Sequence, residues 1–342
     1  MDKKIALVTG ASGQDGSYLS QLLIKKKYKV VAADRRSSRA DNWRHKYLGI
    51  ENKLIYEDFE LADIDSIFRL FKKYKFSEVY NLAAQSFVKG SFETPVSTSN
   101  ITGIGTLRIL EAIRFFNKKI KFYQASTSEM FGKHGEKKQN ENTPFHPRSP
   151  YATSKTFAHY TVQNYREAYD IHAVSGILFN HESPLRGEEF VTRKITLGLS
   201  KVYLNKQKIL KVGNIYAKRD WGYAEDYVEA MWKMMQSKKP KDYVIASGKN
   251  HSVKDFINEC TKFLKLKTKW SGKGLDEKLI NTKNNKVLIK IDKNFFRPTE
   301  VENLKGNYNK AKKDLNWKPK TNFKQLIHKM MTSDLKYVEK HF

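Results

Sequence analysis

The chain has 342 residues, 39% hydrophobic and 29% charged, enough apolar material for one large core with a smaller lobe and too much for wholesale disorder. No run approaches a membrane-spanning length, the opening MDKKIALVTG lacks a cleavable apolar leader, and the lone Cys260 excludes a disulfide framework or multi-cysteine metal site, so a metal-free cytoplasmic protein is expected. The formal charge of +28 at pH 7 comes from 51 Lys and only 13 Arg spread along the chain, which describes a solvated surface able to attract a small anion rather than a specific nucleic-acid interface.

In chain order, residues 5–9 form an apolar strand, 15–26 a helix and 29–33 a second strand. Short strands follow at 53–56 and 78–81, with a helix at 63–73 between them. A helix over 105–116 leads to a strand at 120–125, and a helical pattern over 151–169 leads to a strand at 171–177. Such alternation specifies an α/β fold, a Rossmann-type doubly wound parallel sheet with right-handed crossovers. Beyond 178 the pattern supplies helices near 191–204, 224–235, 252–264 and 323–340, and the Gly/Lys/Asn-rich stretch 270–286 reads as a loop or irregular insertion. The expected division is a nucleotide-binding domain over 1–178 and a smaller mixed α/β substrate lobe over 179–342. Segments near 210–235 and 285–300 are candidates to return to the first domain.

The opening IALVTGASGQDG places Gly10, Gly13 and Gly16 between a strand and a helix. This G-x-x-G-x-x-G spacing is a variant of the dinucleotide fingerprint: glycines allow the tight turn and close backbone approach, and the helix N-terminus offers free N–H groups to a pyrophosphate. An ordinary strand–helix turn accounts less well for strand, glycines and helix arriving together. Asp34 stands 24 residues past Gly10, where an acid meets the ribose diol of NAD, but Arg35 and Arg36 follow at once, with Ser37 and Ser38 as donors. Two guanidinium groups suit an adenosine 2′-phosphate, which favours NADP if the acid points away. Otherwise the arginines cover the sheet edge or reach a neighbouring subunit. Asp58 is placed to accept from the adenine amino group, and Asn81-Leu82-Ala83-Ala84 lies where the fourth strand opens beside the cofactor.

The strand ending at Ala125 delivers Ser126-Thr127-Ser128-Glu129, and Ser149-Pro150-Tyr151-Ala152-Thr153-Ser154-Lys155 follows. Tyr151 and Lys155 share a helix face. The ammonium, with a nicotinamide cation, favours tyrosinate and lowers the phenol toward working pH, so Tyr151 can take a proton from a sugar hydroxyl as hydride leaves the same carbon. A Y-x-x-x-K pair alone is common and uninformative; the glycine-rich turn upstream gives it weight. Alcohol oxidation needs only Tyr151 and a donor such as Thr127. Glu129 adds a carboxylate able to remove the carbon-bound proton beside a new ketone and then protonate a leaving hydroxyl, the added duties of a dehydratase. Failing that, it caps a turn or pairs with a surface lysine.

With these motifs the chain resembles the extended short-chain dehydrogenase/reductase superfamily and, within its nucleotide-sugar branch, the GDP-mannose 4,6-dehydratase family. The likeness runs from TGASGQDGSYLSQLL almost to residue 335, through NLAAQSFV, STSEMFG, PRSPYATSK, FNHESPLRGEEFVTRKIT, VGNIYAKRDWGYAEDYVEAMW and FFRPTEVENLKG. The glycine and Tyr–Lys motifs mark only the superfamily; STSE, NHESP-x-RG and RDWG together mark the family. The resemblance implies a catalytic set of Thr127, Glu129, Tyr151 and Lys155. It implies an NADP site of Gly10, Gly13, Gln14, Asp15, Gly16, Arg35, Arg36, Ser37, Asp58, Phe59, Leu82, Ala83, Ala84, Tyr151, Lys155, His181 and Arg186. Ser86, Asn180, Glu182, Val191, Lys194, Gly213, Arg219, Arg297 and Glu300 would hold GDP-mannose, with Arg219 and Arg297 on the diphosphate and Glu300 on a ribose hydroxyl. Trp221 and Trp232 read as packing residues.

The implied cycle oxidises C4, eliminates water across C5 and C6, and returns the same hydride to C6, so the cofactor stays bound and ends oxidised. A homo-oligomer, dimer or tetramer, is implied too, with the 35–38 loop reaching toward an adjacent subunit's cofactor. Ser97, Asn100 and Thr102 depart from the tyrosine and acids that many members carry, which leaves GDP-D-glycero-D-manno-heptose open as the substrate. The residues are also compatible with a related GDP-sugar epimerase or reductase, and with a nucleotide-binding regulator.

Overall fold

Alternation along the first strand divides the interior: Ala6 and Val8 join one buried apolar cluster and Leu7 another, on opposite faces of the same sheet. A computed structural model describes residues 3–36, 42–133, 137–296, 301 and 303–342. Six strands, β1 (Ile5–Thr9), β2 (Lys29–Asp34), β3 (Ile55–Asp58), β4 (Glu78–Asn81), β5 (Lys121–Thr127) and β6 (Ala173–Leu178), are joined by the strand Tyr243–Ile245. Their order across the sheet is Tyr243–Ile245, β6, β5, β4, β1, β2, β3, and every pairing is parallel.

The helices are α1 (Gln14–Lys25), α2 (Trp43–Tyr47), α3 (Ile64–Lys73), α4 (Val88–Glu93), α5 (Pro95–Thr98), α6 (Gly105–Phe116), α7 (Pro150–Tyr169), α8 (Val191–Tyr203), α9 (Ala224–Gln236), α10 (Val253–Phe263), α11 (Asn309–Leu315) and α12 (Phe323–His341). Tyr18, Leu19 and Leu23 of α1 and Met231 and Met234 of α9 cover one face of the large sheet. Ile67 and Leu70 of α3, Ile109 and Ile113 of α6, and Val162 of α7 cover the other. This is the doubly wound arrangement that the alternating pattern predicts. Because β1 lies between β2 and β4, crossovers leave it in opposite directions, and a crevice opens at the strand C-termini where β1 and β4 part.

The smaller sheet runs Thr268–Ser271, Lys278–Asn281, Val287–Ile291, Leu210–Val212 and is mixed. Ile195, Leu199, Phe256, Ile257, Leu326 and Met330 from α8, α10 and α12 pack over its Leu279 and Ile289. Trp221 packs in this core, parallel to Phe323 with centroids 6.1 Å apart. The expected loop over 270–286 is corrected in part: residues 270–271 and 278–281 belong to two antiparallel strands, Thr268–Ser271 and Lys278–Asn281, joined through a short turn at Gly274–Asp276. Only Leu279 and Asn281 of Lys278–Asn281 are buried. Lys269 stands exposed on the edge strand Thr268–Ser271, where it discourages further strand pairing but hides the strand pattern. Residues 287–291 belong to this small sheet, whereas α9 and Tyr243–Ile245 join the large one. Among the described residues no helix is long and apolar enough to cross a membrane.

Candidate active site

The glycine turn closes against the fourth strand. Gly10 adopts φ +67°, and a Cβ there would stand 2.9 Å from the Ala83 nitrogen; one on Gly16 would stand 2.3 Å from the Gly10 carbonyl oxygen. Side chains are therefore excluded where the backbone must approach closely. Gly13 caps α1 without any side-chain hydrogen bond, leaving the helix N-terminus uncovered by a side-chain cap. The Thr9 hydroxyl accepts from the Leu82 and Ala83 amides at 3.2 Å and donates to Asn81 Oδ1 at 2.7 Å, fastening the C-termini of β1 and β4.

Asp34 turns back into the glycine loop. Its Oδ2 accepts from the Ser12 amide at 2.8 Å, and burial pushes the carboxyl up to about 6 despite that bond. Arg35 and Arg36 follow, both exposed. At the end of β3, Asp58 is exposed and Phe59 buried. Gln14 is occupied structurally: its amide donates to Asp15 Oδ1 and the His181 carbonyl and accepts from Ser183. His181 Nε2 lies 2.7 Å from Asp15 Oδ2, its Nδ1 lies 2.7 Å from the Phe179 carbonyl, and its ring stacks on Tyr227. Both contacts call for a donated N–H. Burial opposes the imidazolium, yet the Asp15 carboxylate prevails and holds it above the ordinary histidine value.

A cleft of about 290 Å³ gathers Gly10, Gly13, Gln14, Asp15, Gly16, Leu82, Ala84 and Ser86 with Thr127, Glu129, Tyr151, Lys155, Asn180, His181 and Arg186. The four catalytic candidates are all buried, at 3–9% exposure, so none belongs to the solvated surface. The Glu129 amide donates to Thr127 Oγ1 at 3.2 Å within the turn Ser128–Met130, which aims both side chains from the end of β5. On α7, Ser149 caps the helix through the Ala152 amide, and Pro150 starts it.

The expected lowering of the Tyr151 phenol is corrected. Burial pushes it up to about 12, the Glu129 charge adds to the rise, and the Thr127 hydroxyl and Arg186 oppose it. Lys155 does not offset the burial because its Nζ donates to the Ala125 carbonyl at 2.7 Å and lies 5.9 Å from the Tyr151 ring centroid. Burial pulls that ammonium down to about 8, against the Asp15 charge.

The expected sugar-nucleotide ligands divide. Asn180 lines the cleft with a buried Oδ1 that has no partner, and Ser86 stands exposed at the rim. Glu182 is buried behind the cleft, accepting from Thr192 and pairing with Arg186 Nε at 3.1 Å, so it holds Arg186 in place. Val191 starts α8 at 39% exposure. Lys194 is half-buried with Nζ 2.9 Å from the Phe295 centroid, and burial aided by the Lys89 charge pulls it down to about 8. Gly213 abuts the Phe295 carbonyl. Arg219 is buried and donates to the Lys218 and Val301 carbonyls. Ser37, Arg297 and Glu300 lie outside the described residues.

Sequence reasoning missed Arg44, Ser126 and Phe190, which also line the cleft. Arg44 donates to the Ser12 and Leu185 carbonyls from the five-residue α2, an element too short to leave a periodic signal.

The glycine cradle, the helix terminus without a side-chain cap and the orphaned Asn180 oxygen fit a dinucleotide beside a polar substrate. Fold and site thus define a nucleotide-binding α/β protein of the short-chain dehydrogenase/reductase type. Its fold matches that of dTDP-glucose 4,6-dehydratase from Bacillus anthracis, solved in complex with NAD, with a TM-score of 0.81 at 20% identity over 98% of each chain. A family model described as GDP-mannose 4,6 dehydratase matches residues 7–330. The chain is 47% identical over 348 residues to GDP-mannose 4,6 dehydratase of Drosophila melanogaster, covering 99% of this chain and 88% of that one. It is 49% identical over 350 residues to GDP-mannose 4,6 dehydratase 1 of Arabidopsis thaliana, covering 99% and 91%. The chain belongs to the GDP-mannose 4,6-dehydratase family.

Proposed function

We propose that the protein is an NADP-dependent GDP-mannose 4,6-dehydratase, a lyase that converts GDP-α-D-mannose to GDP-4-dehydro-6-deoxy-α-D-mannose and water. The observation that carries this is Glu129, buried in the cleft on the same turn as Thr127 and in the field of Tyr151. Alcohol oxidation alone has no use for a carboxylate there. The glycine loop and the N-terminus of α1 would hold NADP⁺, which would supply the hydride chemistry between C4 and C6 with no net change of redox state.

Thr127 holds the O4 hydroxyl and Tyr151 takes its proton. The phenol, raised by burial, serves as a base where positive charge gathers beside it, which Arg186 contributes from this chain. The C4 carbonyl acidifies C5, and Glu129 removes the C5 proton. Glu129 then passes a proton to O6, the C6–O6 bond breaks and water departs, leaving a C5–C6 double bond conjugated with the ketone. Tyr151 gives C5 the proton it took from O4, matching the hydride restored at C6, and so ends the turnover protonated. Asn180, Lys194 and Arg219 serve as GDP-sugar ligands, with Arg219 on the diphosphate.

NADP rather than NAD is favoured by Asp34, whose carboxyl is engaged by the Ser12 amide while two exposed arginines come next. The same proposal carries a homo-oligomeric assembly, dimer or tetramer, in the cytoplasm. The test is product analysis by mass spectrometry and NMR after incubation with GDP-mannose and NADP⁺ in deuterated water. One deuterium at C5, retained hydrogen at C6 and no net NADPH are expected. Stoichiometric NADPH with the C6 hydroxyl intact would overturn the proposal.

A further inference from the structure

The buried face of α7 carries a polar stripe that continues past the catalytic pair. Tyr151, Lys155, His159 and Gln163 recur at four-residue intervals, so they lie in one row. Lys155 reaches the Ala125 carbonyl, and one turn further His159 Nδ1 reaches Ser126 Oγ at 3.2 Å. His159 is 2% exposed and Ser126 3%, and Ser126 lines the cleft beside Thr127.

The far side of the imidazole fixes its tautomer. Gln163 Nε2 lies 3.1 Å from His159 Nε2 and 2.9 Å from Asp242 Oδ2. An atom that close to a carboxylate oxygen must be the amide nitrogen, because an amide oxygen there would face another acceptor. The Gln163 nitrogen therefore donates to both neighbours, and His159 Nε2 accepts. Asp242 is anchored by two bonds from Arg166 and one from the Ser175 amide, and at 3.9 Å it is too far to bond the imidazole. The remaining ring proton sits on Nδ1 and is donated to Ser126 Oγ. With a lone pair of Ser126 occupied from behind, its own O–H is the free donor, and no other hydrogen-bonding group of the described residues meets it.

We infer that Ser126 is a further ligand-orienting donor of this site, offering its hydroxyl proton to an uncharged oxygen bound next to Thr127, and that His159 is its positioning residue. Two bound molecules can present such an oxygen: the carboxamide of a nicotinamide ring or a hydroxyl or carbonyl of the sugar. The identity of these ligands rests on the proposed function; the Ser126–His159 geometry does not.

The experiment measures NADP⁺ and GDP-mannose binding by calorimetry, together with kcat and thermal midpoint. It uses the wild type, Ser126→Ala, His159→Leu, His159→Asn and the Ser126→Ala/His159→Leu double variant. Ser126→Ala is expected to weaken one ligand about five- to tenfold, the worth of one neutral hydrogen bond. Loss confined to NADP⁺ assigns the carboxamide, and loss confined to GDP-mannose or kcat assigns the sugar. His159→Leu should weaken the same ligand, the double variant should add nothing further, and His159→Asn, which keeps a side-chain N–H where Nδ1 stands, should recover most of the loss. Binding and kcat within about twofold of wild type in Ser126→Ala would overturn the inference. So would His159 variants that lower the thermal midpoint alike while leaving the ligands untouched. If His159→Leu does not fold, Ser126→Ala and His159→Asn decide. A wild type that binds both ligands without dehydrating GDP-mannose defeats the proposed function alone, and the binding comparison still judges Ser126.

Discussion

In the proposed mechanism Glu129 is the side chain that separates a redox site from one able to expel water. Glu129→Gln keeps its size and polarity but removes the acid–base function. The expected result is C4 oxidation with NADPH accumulating, while water loss falls by roughly 10²- to 10⁴-fold, the span of general acid–base catalysis. Nicotinamide absorbance and the mass of the sugar product check it. Arg35 and Arg36 make a second case. Replacing both by Ala should weaken NADP⁺ by about ten- to a hundredfold, the worth of one charge-assisted hydrogen bond or slightly more, and leave NAD⁺ nearly unchanged; isothermal titration with each cofactor separates the two outcomes. At this scale the sequence is informative where neighbours along the chain reach one cleft, as in Thr127 with Glu129 or Tyr151 with Lys155. It is silent where distant segments meet. Ser126 and His159 are 33 residues apart, and neither their contact nor the opposing directions of the Tyr151 and Lys155 shifts can be read without the packing.

Elements extend the same contrast. Six strands of the large sheet, β1 to β6, begin and end within about two residues of their predicted limits, because each apolar run is bounded by a glycine-rich, polar or charged turn, whereas the three-residue Tyr243–Ile245 is not among the predicted strands. Strands of the small sheet such as Lys278–Asn281, half solvated and lysine-bearing, lack that signature. The strand–turn–helix at the glycines leaves no spare volume, so Gly16→Ala should deform the loop; loss of NADP⁺ affinity beyond any fall in thermal midpoint is the expected readout. α7 is tied to the sheet by Arg166 and Asp242, bonded at 2.7 and 3.0 Å and both largely shielded. Burial works against the Asp242 carboxylate, but Arg166, His159 and Gln163 hold it below the usual 3.8. A depressed folded value means that the unfolded chain binds the proton more tightly. The stabilisation is thus complete above about 3.8 and fades as pH falls through the lower folded value. Arg166→Met should cost about 3–5 kcal/mol at neutral pH by stranding a buried charge. Chemical denaturation across pH should show that deficit shrinking as pH falls, first as Asp242 takes up its proton in the variant, where burial without Arg166 raises it, and then as it does so in the wild type below 3.8.

The whole molecule carries +28, a surplus whose effects on folding and on substrate capture have opposite signs. Among the described residues many lysines have no carboxylate partner, and exposed pairs such as Lys241–Asp314 contribute little. Self-repulsion of the surplus opposes the compact state, yet the same field draws a dianionic nucleotide sugar toward the cleft. The screening length is about 30 Å at 0.01 M salt and about 8 Å at 0.15 M. Raising salt across that interval therefore removes repulsion and steering together. The thermal midpoint should rise by a few degrees while kcat/KM for GDP-mannose falls severalfold with kcat unchanged, because chemistry inside the shielded cleft does not sense the bulk ions. Scanning calorimetry and steady-state kinetics on one set of buffers read both quantities. If kcat/KM stays flat while the midpoint climbs, the surplus acts on folding alone and the lysine surface has no part in capturing the substrate.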